Sequence, residues 1–294
     1  MGFVMELRGQ LAALAAAFLW AAVSVYYTQL GKQISPLMLN LSKGAVALLL
    51  FGLTIALSGD SVPTVPAMTW LFLVLSGVFG IGVGDTAFFA CLNVWGARRT
   101  LLIDSLSPGM TTVLSWWLLQ EQLGWRQLVG IGLAVGGVAI VVGDRSAGQL
   151  DQRQGWQGLL YGSVFVLSQA VGVILSRAAL TGSAISPLWS TIARLTAGVT
   201  VLGLGALVAR PPGKWDVPTL RGIGIAAFFS TYLGIWLQQT ALKFAPAGIA
   251  QALSSTSPVF ILLIGSCLGE KVSYYSWLGV SLAVGGVVLL LQSG

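Results

Sequence analysis

"LAVGGV" stands at residues 133–138 and again at 282–287. Small and aliphatic letters dominate the chain, so composition alone is the first explanation to test. If the two halves are copies, other matches must fall at the same spacing. They do. "ISPL" at 34–37 returns at 185–188, an offset of 151. "LSP" at 106–108 is echoed by "TSP" at 256–258, an offset of 150. Glu121 and Gly130 find Glu270 and Gly279 at 149, and Lys43 lands on Arg194 at 151. Matches in one order and at one spacing are not composition. The chain reads as a tandem duplication, with halves 1–147 and 148–294.

The composition says what solvent the copies live in. Of 294 residues 56% are hydrophobic and 8% charged, against about 25% charged in a soluble domain. A soluble globule could not cover itself with so little polar surface. The 38 glycines suit membrane helices that pack through small residues. Net charge is +6, but the Lys and Arg sit singly between apolar runs. That spacing reads as topology and lipid contact, so no nucleic-acid partner is expected. With no His and two Cys inside apolar segments, neither a metal site nor a disulfide framework is expected.

A helix needs about 20 residues to cross the hydrocarbon core. Ten apolar windows fit, roughly 10–30, 36–57, 67–92, 97–119, 125–142, 156–177, 186–209, 218–241, 246–268 and 274–292. The runs are continuous and not strictly alternating, which decides for helices over a barrel. The first window lacks a cleavage pattern and reads as a retained span. The longest polar segment, 143–155, falls midway as a linker. Five spans per copy place the second copy upside down. The predicted fold is therefore all-α: a polytopic membrane protein of ten transmembrane helices in two inverted five-helix repeats. Inverted repeats are the architecture of many secondary transporters, with the substrate site near the midplane between them.

"LSP" in the fourth window, Glu121 after it and "GIGLAVGGV" in the fifth, with "TSP", Glu270 and "LGVSLAVGGV" in the second copy, resemble the drug/metabolite transporter superfamily and its ten-helix EamA-type members. The resemblance covers about residues 10–292, and length and aromatic-rich spans look closest to the YddG-type amino-acid exporters. It implies a central cavity lined by spans one, three, four, six, eight and nine, with spans five and ten outside. It implies export of small organic solutes, above all aromatic or hydrophobic amino acids, across a bacterial cytoplasmic membrane. Cationic drugs are the alternative; sugar phosphates and nucleotide sugars fit less well, because Asp104 and Ser254 stand where those anions would want Lys or Arg. One departure is that "SGDSVPTVPAM", residues 58–68, carries no basic residue. A monomer is expected, with a dimer left open.

Four charges lie inside the spans: Lys43, Asp85, Asp104 and Arg194. Such residues are expensive in lipid and mark function by default. Asp85 and Asp104 lie about equally far from a turn near Trp95, so they share a depth. Facing a cavity, they could bind an ammonium group or hold a proton. The bland alternative is pairing with Lys43, Arg194, Arg98 or backbone. Lys43 and Arg194 occupy equivalent places, where long side chains can snorkel outward, and their symmetry favours a structural job. "DSLSPG" and "SSTSPV" place prolines inside spans, where the helix can bend and offer backbone groups to a ligand. Ser254, Ser255 and Ser257 belong to the second of these. Trp20, Phe88, Tyr161, Gln169, Tyr232, Trp236 and Gln239 supply rings and hydrogen-bonding edges suited to an amphipathic ligand. Tyr232, Trp236 and Gln239 recur at i, i+4, i+7 and so share one helix face. Trp116, Trp117 and Trp125 read as interfacial belt.

"GIGVGD" at 80–85 lacks a strand before it and a lysine after it, so it is no nucleotide loop. Gly80 and Gly84, and likewise Gly132 and Gly136, read as close-packing faces. No cofactor is expected. No catalytic arrangement of His, Cys or Ser is recognisable, so an enzyme is not expected. Lys and Arg divide unequally between the two faces. Arg8, Arg126, Arg177 and Lys243 fall on one; Lys32, Arg98, Arg99, Arg145, Arg153, Arg210, Lys214, Arg221 and Lys271 fall on the other. The positive-inside rule puts the second set in the cytoplasm, the reverse of what the resemblance implies.

Overall fold

The computed structural model describes residues 2–119, 151–211, 213, 215–245, 247–267, 269 and 273–291, together with 125–126, 129–130, 132–133, 136–137 and 140. Glu121, Glu270 and the boundary at 147/148 lie outside the described residues. The described residues form helices, and an isolated bridge between Ile34 and Gly213 is their one β contact.

Helix α1 spans Gly2–Leu30 and α2 spans Pro36–Ser58. Helix α3, Ala67–Ser76, continues as a π-helical segment, Gly77–Asp85, into α4, Thr86–Asp104. Helix α5 is Ser107–Leu119. In the second half, α6 is Gln152–Thr181 and α7 Pro187–Ala209. Helix α8, Val217–Ala226, runs through a second π segment, Ala227–Leu233, into α9, Gly234–Phe244. Helices α10, Ala247–Ser254, α11, Ser257–Cys267, and α12, Tyr274–Leu291, complete it. The described positions of 125–140 are also helical.

Seven stretches of the described chain are long and apolar enough to cross a bilayer. One of them, Ala67–Asp104, has 38 residues, about 57 Å of helix at 1.5 Å per residue, nearly twice a hydrocarbon core. It is a hairpin: Gly96 sits at φ 73°, ψ 173° and breaks it in two. A left-handed φ is open to Gly and strained for other residues. The turn thus falls one residue from Trp95.

The repeated motifs turn out to be joints. In "ISPL" the Ser caps a helix and the Pro fills its first turn, where no N–H is needed. The Ser35 side chain accepts from the Met38 N–H at 3.4 Å, and Ser186 from that of Trp189 at 3.3 Å. In the first copy Ile34 and Leu39 flank the cap and share a buried cluster, a hydrophobic staple. "LSP" and "TSP" are breaks: helix stops at Asp104 and at Ser254 and restarts at Ser107 and Ser257. The two π segments begin at Gly77 and Ala227, an offset of 150.

The halves interlock. Helix α1 packs on α9, while α4 and the first π segment pack on α6. Near one end of the molecule Arg8 stacks on Phe244 at 5.0 Å, and Lys243 binds carbonyls at the close of α6. The start of α1 therefore lies beside the end of α6, and these two first helices run in opposite directions. At the other end Gln33 accepts from Thr219, and Ile34 bridges to Gly213.

The opening hexapeptide packs against its own copy. A side chain at Gly137 would strike the Gly279 carbonyl and come within 2.7 Å of the Ala283 nitrogen. Ala283 belongs to the second "LAVGGV". Gly132 and Gly136 face open space instead. The close-packed glycine is thus one position on from the expected one. Gly80 and Gly84 do pack as expected, against Gly172 and Ser168 of α6. Trp116, Trp117 and Trp125 are exposed on the outer surface. Cys91 and Cys267 are both free.

Candidate functional site

Between the halves lies a cavity of about 80 Å³, room for about five to eight waters. Its wall is drawn from both copies. From the first come Trp20 and Tyr27 of α1, Lys43 of α2, Ile81 and Asp85 of the π segment, and Phe88, Phe89, Leu101 and Asp104 of α4. The second half supplies Phe165 and Gln169 of α6, Arg194 of α7, Ser230, Ile235 and Gln238 of the second π segment and α9, Gln251 of α10 and Ser257 of α11.

All four intramembrane charges are on this wall. Lys43 does not snorkel. It is 4% exposed, its ammonium 2.6 Å from Asp85 Oδ2 and 5.3 Å above the Phe89 ring. Gln169 donates to the other Asp85 oxygen at 2.9 Å, so both oxygens of that carboxylate are engaged. Asp85 thus has the partner its bland reading assigned it, while still lining the cavity. Asp104 is 8% exposed; Ser107 donates to its Oδ1 at 2.8 Å. Among the described residues no Lys or Arg nitrogen lies within salt-bridge distance of it. Arg194 does not snorkel either. It is 1% exposed, and its Nε and Nη1 have no hydrogen-bond partner. Its Nη2 lies 3.0 Å from where a side chain at Gly80 would begin.

Each π segment frees carbonyls from the helical ladder, and side chains from elsewhere take them up. Asn40 donates to the Ile81 carbonyl at 2.7 Å. Trp20 donates to the Ser230 carbonyl at 2.9 Å, and Gln169 reaches the Gly80 carbonyl at 3.4 Å. These last two contacts are equivalents: Gly80 and Ser230 differ by 150, Trp20 and Gln169 by 149. Each half's first helix holds the π segment of the other half.

Of the expected site residues, Trp20, Asp85, Phe88, Asp104, Gln169 and Ser257 stand on the cavity wall. Ser257 there donates to the Ala17 carbonyl at 3.0 Å. Ser255 sits behind the wall, donating to the Asp104 backbone carbonyl at 3.3 Å, and Ser254 is buried without lining the cavity. Tyr161 packs one turn away in the cluster of Trp95 and Phe165. The shared face of Tyr232, Trp236 and Gln239 looks elsewhere. Tyr232 lies 4.6 Å from Phe51 and bonds Thr54; Trp236 packs on the same ring, and Gln239 accepts from Ser190 at 2.8 Å. The π segment widens one turn, so Ser230, Ile235 and Gln238, at i, i+5 and i+8, face the cavity. Lys43, Arg194, Tyr27, Gln238 and Gln251 were missed as lining residues; whether Lys43 and Arg194 turn inward depends on tertiary packing that a sequence does not display.

A cavity between duplicated halves, with buried charges of both signs on its wall, is the geometry of a carrier. The profile of the EamA-like transporter family matches residues 7–143 and again residues 156–292. The chain belongs to the EamA-like transporter family. It is a multi-pass membrane protein, and a membrane transporter by that family. YetK of Bacillus subtilis, named an uncharacterized transporter, is 27% identical over 218 residues, 69% of this chain and 64% of its own length. An uncharacterized transporter of Archaeoglobus fulgidus is 26% identical over 290 residues, 96% of this chain and 97% of its own. A solved crystal structure shares the fold at a TM-score of 0.74 and 18% identity, over 96% of this chain and 94% of that one.

Proposed function

We propose that this EamA-family transporter exports amino acids, aromatic or hydrophobic ones first, from the bacterial cytoplasm, as the YddG-type exporters do. One observation carries the reading: the cavity wall presents buried groups of both signs, Arg194 and Asp104, among the rings of Trp20, Tyr27, Phe88, Phe89 and Phe165. A dipolar ligand with an apolar side chain matches that mixture. A sugar phosphate would bring a second negative charge towards Asp85 and Asp104.

The mechanism is alternating access in ten helices arranged as two inverted repeats, with domains at 1–147 and 148–294. The described cavity is small for an aromatic amino acid, so loading requires the halves to rock apart. The joints for that motion are the breaks after Asp104 and Ser254 and the two π segments. No cofactor takes part, and the protein works as a monomer in the cytoplasmic membrane.

The test is uptake of labelled phenylalanine into proteoliposomes, competed with unlabelled amino acids, a nucleotide sugar and a quaternary amine. Saturable uptake competed by amino acids alone supports the reading. Uptake of the amine without phenylalanine would favour the cationic-drug alternative, for which the carboxylate of Asp104 is the motivating feature.

A further inference from the structure

The four charges of the cavity are unequally satisfied. Lys43 and Asp85 have each other, and Gln169 occupies the second oxygen of Asp85. Asp104 and Arg194 make no salt bridge among the described residues, although the Asp85 charge also acts on Arg194. Arg194 is the more extreme, 1% exposed with two guanidinium nitrogens buried and unpartnered. Burying donors of a charged group without hydrogen-bond partners is costly, which makes this guanidinium a candidate for a ligand. Gly80 lacks the side chain that would displace Nη2 from this place, and Arg194 stands on the cavity wall.

From this we infer that Arg194 is the docking group for the substrate's carboxylate, with Asp104 receiving its ammonium group. The inference rests on the amino-acid reading above and names the site's polarity. A planar guanidinium matches a carboxylate through two parallel N–H···O bonds, which a lysine cannot reproduce. The wall itself is balanced, Lys43 and Arg194 against Asp85 and Asp104, and a net-neutral dipolar ligand keeps it so. Each Asp85 oxygen already accepts a bond, one of them from the Lys43 ammonium. At Asp104, Oδ1 takes the Ser107 hydroxyl, and Oδ2 takes no hydrogen bond from the described residues.

The experiment is thermal protection of the purified protein by three ligands of one shape: phenylalanine, 3-phenylpropionate, which lacks the ammonium, and phenethylamine, which lacks the carboxylate. Wild type is compared with Arg194→Gln and Arg194→Lys. Protection of wild type by phenylalanine, weakened about ten- to hundredfold in Arg194→Gln, is the expected result for a lost charge-assisted pair. Arg194→Lys keeps the charge and loses the fork, so its affinity falls in between; it also serves if Arg194→Gln does not fold. Equal protection of all three proteins by phenylalanine overturns the carboxylate site and leaves the amino-acid reading standing. Protection by 3-phenylpropionate but not phenylalanine, dependent on Arg194, sinks the amino-acid reading and keeps the anion site. Protection by phenethylamine alone, or by none of the three, overturns both.

Discussion

The indole of Trp20 donates to the backbone carbonyl of Ser230 at 2.9 Å, tying the first helix of one half to the π segment of the other. The carbonyl needs it, because the π turn has displaced its helical partner. Replacing Trp20 by Phe keeps a ring and deletes the donor, leaving a buried acceptor unmade. The expected loss is about 1–3 kcal/mol, read as a lower unfolding midpoint in detergent. Gln169→Leu removes the equivalent bond to Gly80, which is longer at 3.4 Å. It also strips a donor from Asp85, so the harm there extends to ligand protection. A Trp20→Phe protein as stable as wild type would mean that this carbonyl is satisfied by other means.

Lys43 and Asp85 form the second test. Buried ion pairs punish the loss of one partner more than the loss of both, because the survivor is left uncompensated. Lys43→Met and Asp85→Asn are each expected to destabilise. The double variant should recover part of the loss, with a coupling of about 1–3 kcal/mol in a double-mutant cycle. Additive losses would show that each group is held by its other neighbours, Phe89 and Gln169. Transport separates the roles further: unchanged uptake by Asp85→Asn under an imposed pH gradient would remove Asp85 as a coupling residue.

The repeated hexapeptide yields a prediction one residue wide. Gly137→Ala drives a methyl into the backbone of Gly279 and Ala283, and overpacking of that kind costs about 1–3 kcal/mol. Gly136→Ala meets nothing within 4 Å and is expected to be neutral. Thermal midpoints of the two variants, purified side by side, decide it. Equal behaviour would mean that the two copies of "LAVGGV" do not meet at this register.

That single-residue contrast shows where the sequence was readable and where it was not. "ISPL" and "LSP" could be found twice because caps and breaks are made by residue types acting locally, through Ser oxygens and a missing Pro N–H. The family resemblance rested on "LSP" and "TSP", Glu121 and Glu270, and the two runs that hold "LAVGGV". The cavity wall was half legible: Asp85, Asp104 and Gln169 stand out because polar groups are rare in lipid. Tyr232, Trp236 and Gln239 do share a face, but periodicity does not say which face meets the cavity, and theirs meets Phe51, Thr54 and Ser190. Lys43 and Arg194 were visible as charges but not as wall residues. Whether a long cation snorkels or turns inward depends on Asp85 and Gly80, distant in sequence.

At one end of the molecule α6 and α9 cap each other, and this is where motion can be tested. Arg177, near the end of α6, donates to the Leu242 carbonyl at the end of α9, at 2.5 Å. Lys243, near the end of α9, donates to Leu180 and Ser183 at the end of α6, at 2.6 and 3.0 Å. Each cation meets the negative pole of the other helix, where such contacts are worth about 0.3–2 kcal/mol. Ala245 and Ala247 are buried in one cluster with Leu180 and Leu242. If the halves rock, weakening the caps should shift the population toward a state open at this end. A single cysteine at Ala245, in a background with Cys91 and Cys267 replaced by Ser, reports on it. Arg177→Ala is expected to speed its reaction with a water-soluble maleimide several-fold, and Arg177→Ala with Lys243→Ala further still. Labelling as slow as in the parent would mean that the apolar packing of α6 against α9 closes this end without the caps. The gate would then have to be sought at the opposite end, around Gln33 and Thr219.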